Sequence, residues 1–216
     1  LALDQPLGLG LVGIFETFDG YTKIDEAIAY GPQYAIMAGG FVNYGRRLEN
    51  AGIKTYLHTP SKEIFLDTIA GGISGVILEG NEAGGHISKL SSFSLWQSCL
   101  YALESKGRLE SNKSIVLAGG ITGEAAVQFC AGLVSSFKDY RVSFGLQAGS
   151  LFLTCREIVT SGALDARYQD LVLSSNCTVV TGSTVGLPQR QIRTPRVETI
   201  IQWESSHDRS GDYKTI

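Results

Sequence analysis

The sequence has little of what several functional classes require. Its 18 Lys and Arg residues are outnumbered by 21 Asp and Glu residues, for a formal net charge of -3, so it offers no basic face for nucleic acid or for an anionic membrane. No apolar run approaches the roughly 20 residues that span a bilayer, and the opening LALDQPLGLG lacks the charged start and cleavage site of a signal peptide. We therefore expect a cytoplasmic protein whose partner is a small molecule.

Cysteine is scarce and irregularly placed. Cys99, Cys130, Cys155 and Cys177 form no C-x-x-C pair and have no neighbouring histidine, so neither a zinc site nor a disulfide framework is indicated. We expect buried free thiols and no metal. The chain begins with leucine, and from this we expect it to be part of a longer polypeptide.

The sequence does contain a steady alternation of short apolar runs and segments of helical pattern. Its 216 residues, 44% of them hydrophobic and 18% charged, are enough for one compact domain with a sizeable core. Strand-like runs that are each followed by a helix are typical of βαβ units and a parallel sheet. The predicted strands are residues 9–15, 33–40, 53–59, 75–80, 114–120 and 141–147.

Beyond Cys155 the alternation changes. Residues 157–175 predict a helical excursion, and residues 177–195 predict an extended polar segment with no helix after it. We therefore divide the chain into residues 1–160, a barrel; residues 161–203, a C-terminal appendage of the same domain outside that barrel; and residues 204–216, a polar tail that we expect to be disordered.

Glycine-rich turns follow three of the predicted strands, at the end where parallel barrels carry their active sites. After residues 75–80, Gly84 and Gly85 let a flat ligand approach the backbone and are followed by His86. The turns AGG at residues 118–120 and QAGS at residues 147–150 each end a strand at the start of a helix. Backbone N–H groups there, aided by the helix dipole, form a cradle for phosphate.

Either of these last two turns alone is also explained by the steric needs of a tight turn. Together they match a common barrel arrangement, in which the loops after strands seven and eight bind phosphate. If residues 114–120 are strand seven and residues 141–147 strand eight, residues 9–15 are strand three. The sequence therefore predicts a (β/α)₈ barrel that lacks its first two βα units in this chain.

At these residues the sequence resembles the nitronate monooxygenase family, formerly called 2-nitropropane dioxygenases, and its flavin-dependent enoyl reductase relatives. The family's strand-six signature stands here as Gly80 followed by E-A-G-G-H at residues 82–86. Its A-G-G-I matches residues 118–121, and its Q-M-G-T-x-F matches residues 147–152, which are Q-A-G-S-L-F. The stretches AGIKTYLHTPS and SSFSLWQ resemble the version of this domain embedded in polyketide and fatty-acid synthases.

The resemblance implies an FMN-dependent oxidoreductase that oxidises alkyl nitronates with oxygen, with His86 as the base that takes the proton α to a nitro group. The alternative that it implies is a reductase acting on a carrier-bound enoyl thioester with a nicotinamide donor. A third possibility is a non-catalytic barrel inside a synthase, although the presence of His86 and both glycine turns argues against it. The residues implied to hold FMN are Gly84, Gly85, Ala118, Gly119, Gly120, Gln147, Gly149 and Ser150.

Five other side chains near these turns have a structural interpretation as well as a functional one. His58 ends the third predicted strand and either contacts substrate or has a structural role. Glu79 either lies near the flavin, as the resemblance implies, or caps the following helix. Glu82 is expected to fix its own loop rather than to act as a general base. Phe93 and Trp96 are expected to pack in the core, although the resemblance to the embedded domains implies that their segment borders the pocket.

Overall fold

The computed structural model describes residues 7–12, 23–39, 42–107, 113–137 and 139–207. Its strands are β1 (Gly8–Val12), β2 (Tyr34–Ala38), β3 (Lys54–His58), β4 (Gly75–Glu79), β5 (Gly85–His86), β6 (Lys113–Ala118), β7 (Val142–Gln147), β8 (Thr178–Thr181) and β9 (Gln189–Ile192). Its α-helices are α1 (Lys23–Tyr30), α2 (Val42–Asn50), α3 (Lys62–Ala70), α4 (Ser92–Lys106), α5 (Glu124–Val134), α6 (Ser150–Leu153), α7 (Arg156–Thr160), α8 (Ala166–Ser174) and α9 (Pro195–Ser206).

Six strands form one parallel sheet whose strand order follows the chain: β1, β2, β3, β4, β6, β7. A helix follows each of them, so the six predicted βα units and their parallel pairing are confirmed. Residues 13–15 of the first predicted strand and residue 40 of the second lie outside the described residues. Because the strands are parallel, the six segments that follow them leave the sheet at one edge.

One face of the sheet carries the helices. In β3, Thr55 and Leu57 are buried, whereas the alternate residues Tyr56 and His58 are half-buried, as expected from side chains that point to opposite faces. Leu57 packs in one apolar cluster with residues of α1 and α2, and a second cluster joins β4, β6, α4 and α5. Tyr56 and His58 therefore lie on the face opposite the helices.

The amino-terminal edge of the sheet is fixed by internal polar contacts. The carboxylate of Glu49 accepts hydrogen bonds from the backbone N–H groups of Thr55 and Ser74, at 2.9 and 2.7 Å. Nearby, Lys113 Nζ donates to the carbonyl of Ile73 at 2.8 Å. Burial lowers the pKa of Lys113, against the opposing effect of Glu49. These groups are engaged in holding the fold, at the end of the sheet remote from the glycine turns.

The C-terminal segment folds back onto the histidine loop, which is residues 80–91 between β4 and α4. Strands β8 and β9 form an antiparallel hairpin, and β9 also pairs with the short strand β5. The prediction that no helix follows this segment was wrong, because α9 begins directly after β9. Thr194 caps α9 by accepting a bond from the N–H of Val197, and Pro195 occupies its first turn, which is a recognisable helix start.

The predicted polar tail therefore begins inside a helix. Residues 204–206 belong to α9, and the ring of His207 stacks on Trp203 at 4.6 Å between ring centroids. Residues 208–216 lie outside the described residues. In the part of the chain that the structure describes, no helix is both long enough and apolar enough to cross a membrane.

Candidate functional site

The three glycine-rich segments leave the sheet next to one another. Glu79 at the end of β4 is in register with Ala118 at the end of β6, and Ala118 is in register with Gln147 at the end of β7. The histidine loop, the AGG turn and the QAGS turn therefore begin side by side at the carboxyl edge of the sheet. This is the juxtaposition that the sequence predicted.

The histidine loop is built around the start of α4. The Glu82 carboxylate accepts a hydrogen bond from the Ser92 N–H at 2.6 Å, which satisfies a donor that the helix leaves free at its first turn. Burial raises the pKa of Glu82, but its bonds to Ser92 and the nearby charge of Arg190 outweigh burial, and the pKa lies below its usual value. The interpretation of Glu82 as a loop-fixing carboxylate is confirmed.

The backbone conformation of Gly85 places His86 at the surface. Gly85 has φ +80°, in the left-handed region that glycine adopts at no steric cost. His86, the predicted base, is exposed and forms the second residue of β5. Its backbone pairs with Gln189 of β9. Conformation alone therefore explains Gly85, while the imidazole is accessible to a ligand.

The AGG turn needs glycine for packing inside the protein. Gly119 has φ +108°, and a Cβ there would overlap the hydroxyl of Ser92 and lie 3.2 Å from the backbone nitrogen of Ala83. Gly120 also has a positive φ, of +74°. The close approach of this turn to the histidine loop and to α4 thus accounts for Gly119 without any ligand.

The QAGS turn is different, because nothing in the described structure requires its glycine. Gly149 has φ -95°, which any residue adopts, and a Cβ there would have no described atom within 4 Å. A small residue with open space before it, beside the AGG turn, fits a phosphate group held close to the backbone. The residues present therefore leave room for a phosphate group at this turn.

His58 and Glu79 form a pair beside these turns. The Nδ1 atom of His58 lies 2.5 Å from a carboxylate oxygen of Glu79, and the two side chains are 10% and 17% exposed. Both lie on the face of the sheet opposite the helices. Capping of the next helix, one of the two interpretations of Glu79, is carried out instead by Ser91, which accepts from the Ser94 N–H, and by Glu82.

The two aromatic residues predicted for the core have different environments. Trp96 is buried, and its ring N–H donates to the carbonyl of Leu78 at 3.0 Å, as expected. Phe93 is 46% exposed and contacts the ring of Phe129 at 5.7 Å between centroids. Its placement in the core was wrong because Phe93 falls at the flank of the buried stripe of α4.

The four cysteines also differ in how far they are buried. Cys99 and Cys130 are buried free thiols, as expected, but Cys155 is half-buried and Cys177 exposed. Burial raises the pKa of Cys99 to about 12. Among the described residues, no group of three or more His, Cys, Asp or Glu side chains is placed to hold a metal ion.

A surface groove of about 490 Å³ lies beside the end of the histidine loop. It runs between the start of α3, the segment after β5 and the β8–β9 turn, and its lining includes Lys62, Ile87, Lys89 and Pro188. None of the residues predicted to bind flavin lines it. The groove therefore borders the histidine loop without including the residues predicted to hold flavin.

Comparison with solved structures identifies the fold. FabK from Thermotoga maritima superposes with a TM-score of 0.71 at 22% identity, over 93% of this chain and 58% of FabK. Nitroalkane oxidase from Streptomyces ansochromogenes superposes with a TM-score of 0.59 at 19% identity, over 86% of this chain and 51% of the oxidase. The chain shares its fold with these two proteins.

The likeness is one of structure rather than of sequence. The M276A mutant of the Thermotoga maritima FabK gives a TM-score of 0.67 at 22% identity, over 97% of this chain and 64% of its own. No known family profile matches the sequence, and no curated protein does. The chain spans little more than half the length of FabK. The shared fold confirms the α/β class with a parallel sheet.

The structure also shows contacts of the histidine loop that the sequence did not point to. Asn81, Gln189 and Arg190 join the histidine loop to the C-terminal hairpin. The alternating runs TVVT and QRQI on either side of a Gly- and Pro-containing turn are typical of a hairpin. That pattern predicts the hairpin itself. No local sequence pattern predicts that the hairpin pairs with β5, which is about a hundred residues away along the chain.

Proposed function

We propose that this chain is the flavin-binding part of an FMN-dependent oxidoreductase that oxidises nitroalkanes through their nitronates, with His86 as the base. The observation that carries the proposal is the convergence of the histidine loop and the two glycine turns at one edge of the parallel sheet, through the register of Glu79, Ala118 and Gln147. Ligands of parallel α/β sheets bind at this edge. We also propose that the six strands are strands three to eight of an eight-stranded barrel.

The phosphate of FMN would lie against the backbone of the AGG and QAGS turns. The residues that would hold it there are Ala118, Gly119, Gly120, Gln147, Gly149 and Ser150, and Gly84 and Gly85 would face the flat ring. The open space before Gly149 is the feature that best fits this arrangement. Bound FMN would supply the redox chemistry, taking electrons from the nitronate and delivering them to oxygen.

His86 would handle the proton. A neutral nitroalkane carries a proton on the carbon next to the nitro group, and its removal gives the nitronate. The exposed imidazole of His86 can accept that proton near neutral pH. His58 and Glu79, paired on the face opposite the helices, would present a second polar group to the same space.

A second candidate function is the reduction of an enoyl thioester with a nicotinamide donor. It rests on the likeness of AGIKTYLHTPS and SSFSLWQ to domains embedded in polyketide and fatty-acid synthases. The same flavin and the same edge of the sheet would serve both reactions. The candidates differ in the electron donor, so the donor is the quantity to test.

The test is anaerobic reduction of the full-length protein reconstituted with FMN. Propane-2-nitronate and a reduced nicotinamide are added separately, and the visible absorbance of the flavin is followed. The proposal predicts bleaching by the nitronate and none by the nicotinamide. Bleaching by the nicotinamide alone would replace the proposal with the reductase, and failure to retain FMN, or to bleach with either donor, would refute both.

A further inference from the structure

We propose that the β8–β9 hairpin is part of the active site and that Arg190 is a positioning residue for His86. The inference rests on the proposed role of His86 for its functional meaning, whereas its structural part stands on contacts alone. The hairpin lies in the segment that the sequence assigned to an appendage outside the barrel, and the structure places β9 directly beside β5.

The guanidinium of Arg190 joins the hairpin to the histidine loop. Its Nε donates to the backbone carbonyl of Asn81 at 2.7 Å, and one terminal nitrogen donates to Asn81 Oδ1 at 2.5 Å. The other terminal nitrogen donates to the Thr178 hydroxyl at 2.9 Å. One planar side chain thereby fixes the start of the loop to both strands of the hairpin, a geometry that a lysine cannot reproduce.

Asn81 in turn forms hydrogen bonds to the other end of the loop. Its backbone N–H donates to the carbonyl of Leu90 at 2.9 Å, and its Nδ2 donates to the carbonyl of Ser88 at 3.1 Å. Asn81 therefore ties the beginning of the loop to its end. Because Arg190 holds both oxygens of Asn81, the loop is closed by a side chain that comes from 109 residues further along the chain.

The backbone on either side of His86 is fixed by the same hairpin. Gly85 pairs with Arg190, and His86 pairs with Gln189. The N–H of Ile87 donates to the carbonyl of Pro188 at 3.0 Å. Within the described part of the chain, no hydrogen bond holds the imidazole of His86 itself. The position of the imidazole therefore depends on the backbone of β5, and so on the hairpin.

The hairpin has its own anchor in α9. The Glu204 carboxylate accepts a bond from the Gly182 N–H at 2.6 Å and another from the Thr184 hydroxyl at 3.0 Å. Gly182 has φ +81°, and a Cβ there would overlap the carbonyl of Leu187. The turn that connects β8 to β9 is thus held in one conformation, so Arg190 extends from a fixed support.

The direct test replaces Arg190 in the full-length protein and measures amide hydrogen exchange at Ile87. Arg190→Met keeps the length of the side chain and removes its donors, and Arg190→Lys keeps the charge. Charged hydrogen bonds contribute about 1.5–3 kcal/mol, so we expect exchange at Ile87 to rise about 10- to 100-fold in Arg190→Met and less in Arg190→Lys. Arg193→Met is the matched control, because the guanidinium of Arg193 interacts with Glu198 and Cys177 rather than with the histidine loop.

A spectroscopic measurement reports on His86 itself. The chain has three histidines, so the imidazole signals in a ¹³C-labelled sample are few, and His86→Ala assigns one of them. We expect Arg190→Met to move and broaden the His86 signal while leaving that of His207 unchanged. If Arg190→Met does not fold, Asn81→Ala removes the side-chain acceptor while Arg190 remains, and the same changes are expected.

The outcomes separate the positioning proposal from the proposed function. Unchanged exchange at Ile87 and an unchanged His86 signal, in Arg190→Met or in Asn81→Ala, would overturn the positioning role. If both change but the wild-type protein does not oxidise a nitroalkane, the positioning role stands and the proposed function fails. If the positioning role and the proposed function are both correct, Arg190→Met lowers kcat for the neutral nitroalkane about 10-fold or more. Flavin stays bound in this variant, and nitronate oxidation is less affected.

Discussion

The imidazole of His58 and the carboxylate of Glu79 meet at 2.5 Å across the ends of β3 and β4, on the face of the sheet opposite the helices. The pair lies beside the register position of Ala118, where the AGG turn begins. A largely buried polar pair is costly to break, because the remaining partner loses its bond without regaining water. The His58–Glu79 pair therefore stabilises the sheet at the face that the proposed flavin would cover.

We predict that Glu79→Ala lowers the free energy of unfolding by about 1–3 kcal/mol, the usual cost of leaving a buried polar partner unsatisfied. Glu79→Gln keeps an acceptor and is expected to lose less. The control is Arg167→Ala, which breaks an exposed pair with Asp165 and is expected to cost little, because water screens such pairs. Urea unfolding of the three variants measures the difference, and equal losses in all three would show that the His58–Glu79 contact contributes nothing.

The buried thiol of Cys99 gives a pH dependence with a definite sign. Its pKa is raised from 9.0 to about 12 by burial, so the protonated thiol contributes stability that is fully present below pH 9.0. That contribution is lost as pH rises toward 12, because only the unfolded chain ionises over this range. We predict that the stability of Cys99→Ala, although lower at neutral pH, falls less steeply above pH 9 than that of the wild type.

The slope from one such group is at most about 1.4 kcal/mol per pH unit, and chemical denaturation at several pH values resolves it. Cys177→Ala is the control, since Cys177 is exposed, and its alkaline slope is expected to match the wild type. If Cys99→Ala and the wild type lose stability in parallel above pH 9, the burial of Cys99 does not determine its ionisation.

Gly149 offers a clean test of the phosphate position. A side chain there meets no described atom within 4 Å, and the φ of -95° accepts any residue, so Gly149→Val is expected to fold normally and to lose FMN. Gly120→Val is less informative, because its positive φ strains any side chain. The matched control is Gly132→Val on α5, where a Cβ also meets nothing. Flavin fluorescence after gel filtration measures retention, and full retention in Gly149→Val would remove this assignment.

The parallel sheet could be predicted from the sequence because each of its strands is a local pattern. Short apolar runs such as residues 75–78, followed by helical segments, determine strand type and pairing partner together when the order follows the chain. The positions of His86, Gly119 and Gly149 at one edge follow from that order alone. The sequence therefore contained the candidate site in outline.

Contacts between distant segments could not be predicted from the sequence. The bonds from Arg190 to Asn81, and the pairing of β9 with β5, join parts of the chain that no periodicity connects. The reason for Gly119 is likewise tertiary, since the start of α4 fills the space beside it. The exposure of Phe93 depended on which side of α4 the sheet covers. These features arise from packing, which a local pattern does not specify.

The central claim is that His86 removes a proton in a flavin-dependent reaction, and a comparison of two substrates tests it most directly. His86→Asn in the full-length protein is assayed with a neutral nitroalkane and with its preformed nitronate, which has already lost the proton. We predict that FMN stays bound, that turnover of the nitroalkane falls about 10²- to 10⁴-fold, the usual contribution of a positioned base, and that nitronate oxidation falls much less. Equal losses on both substrates, or no loss on either, would contradict the account.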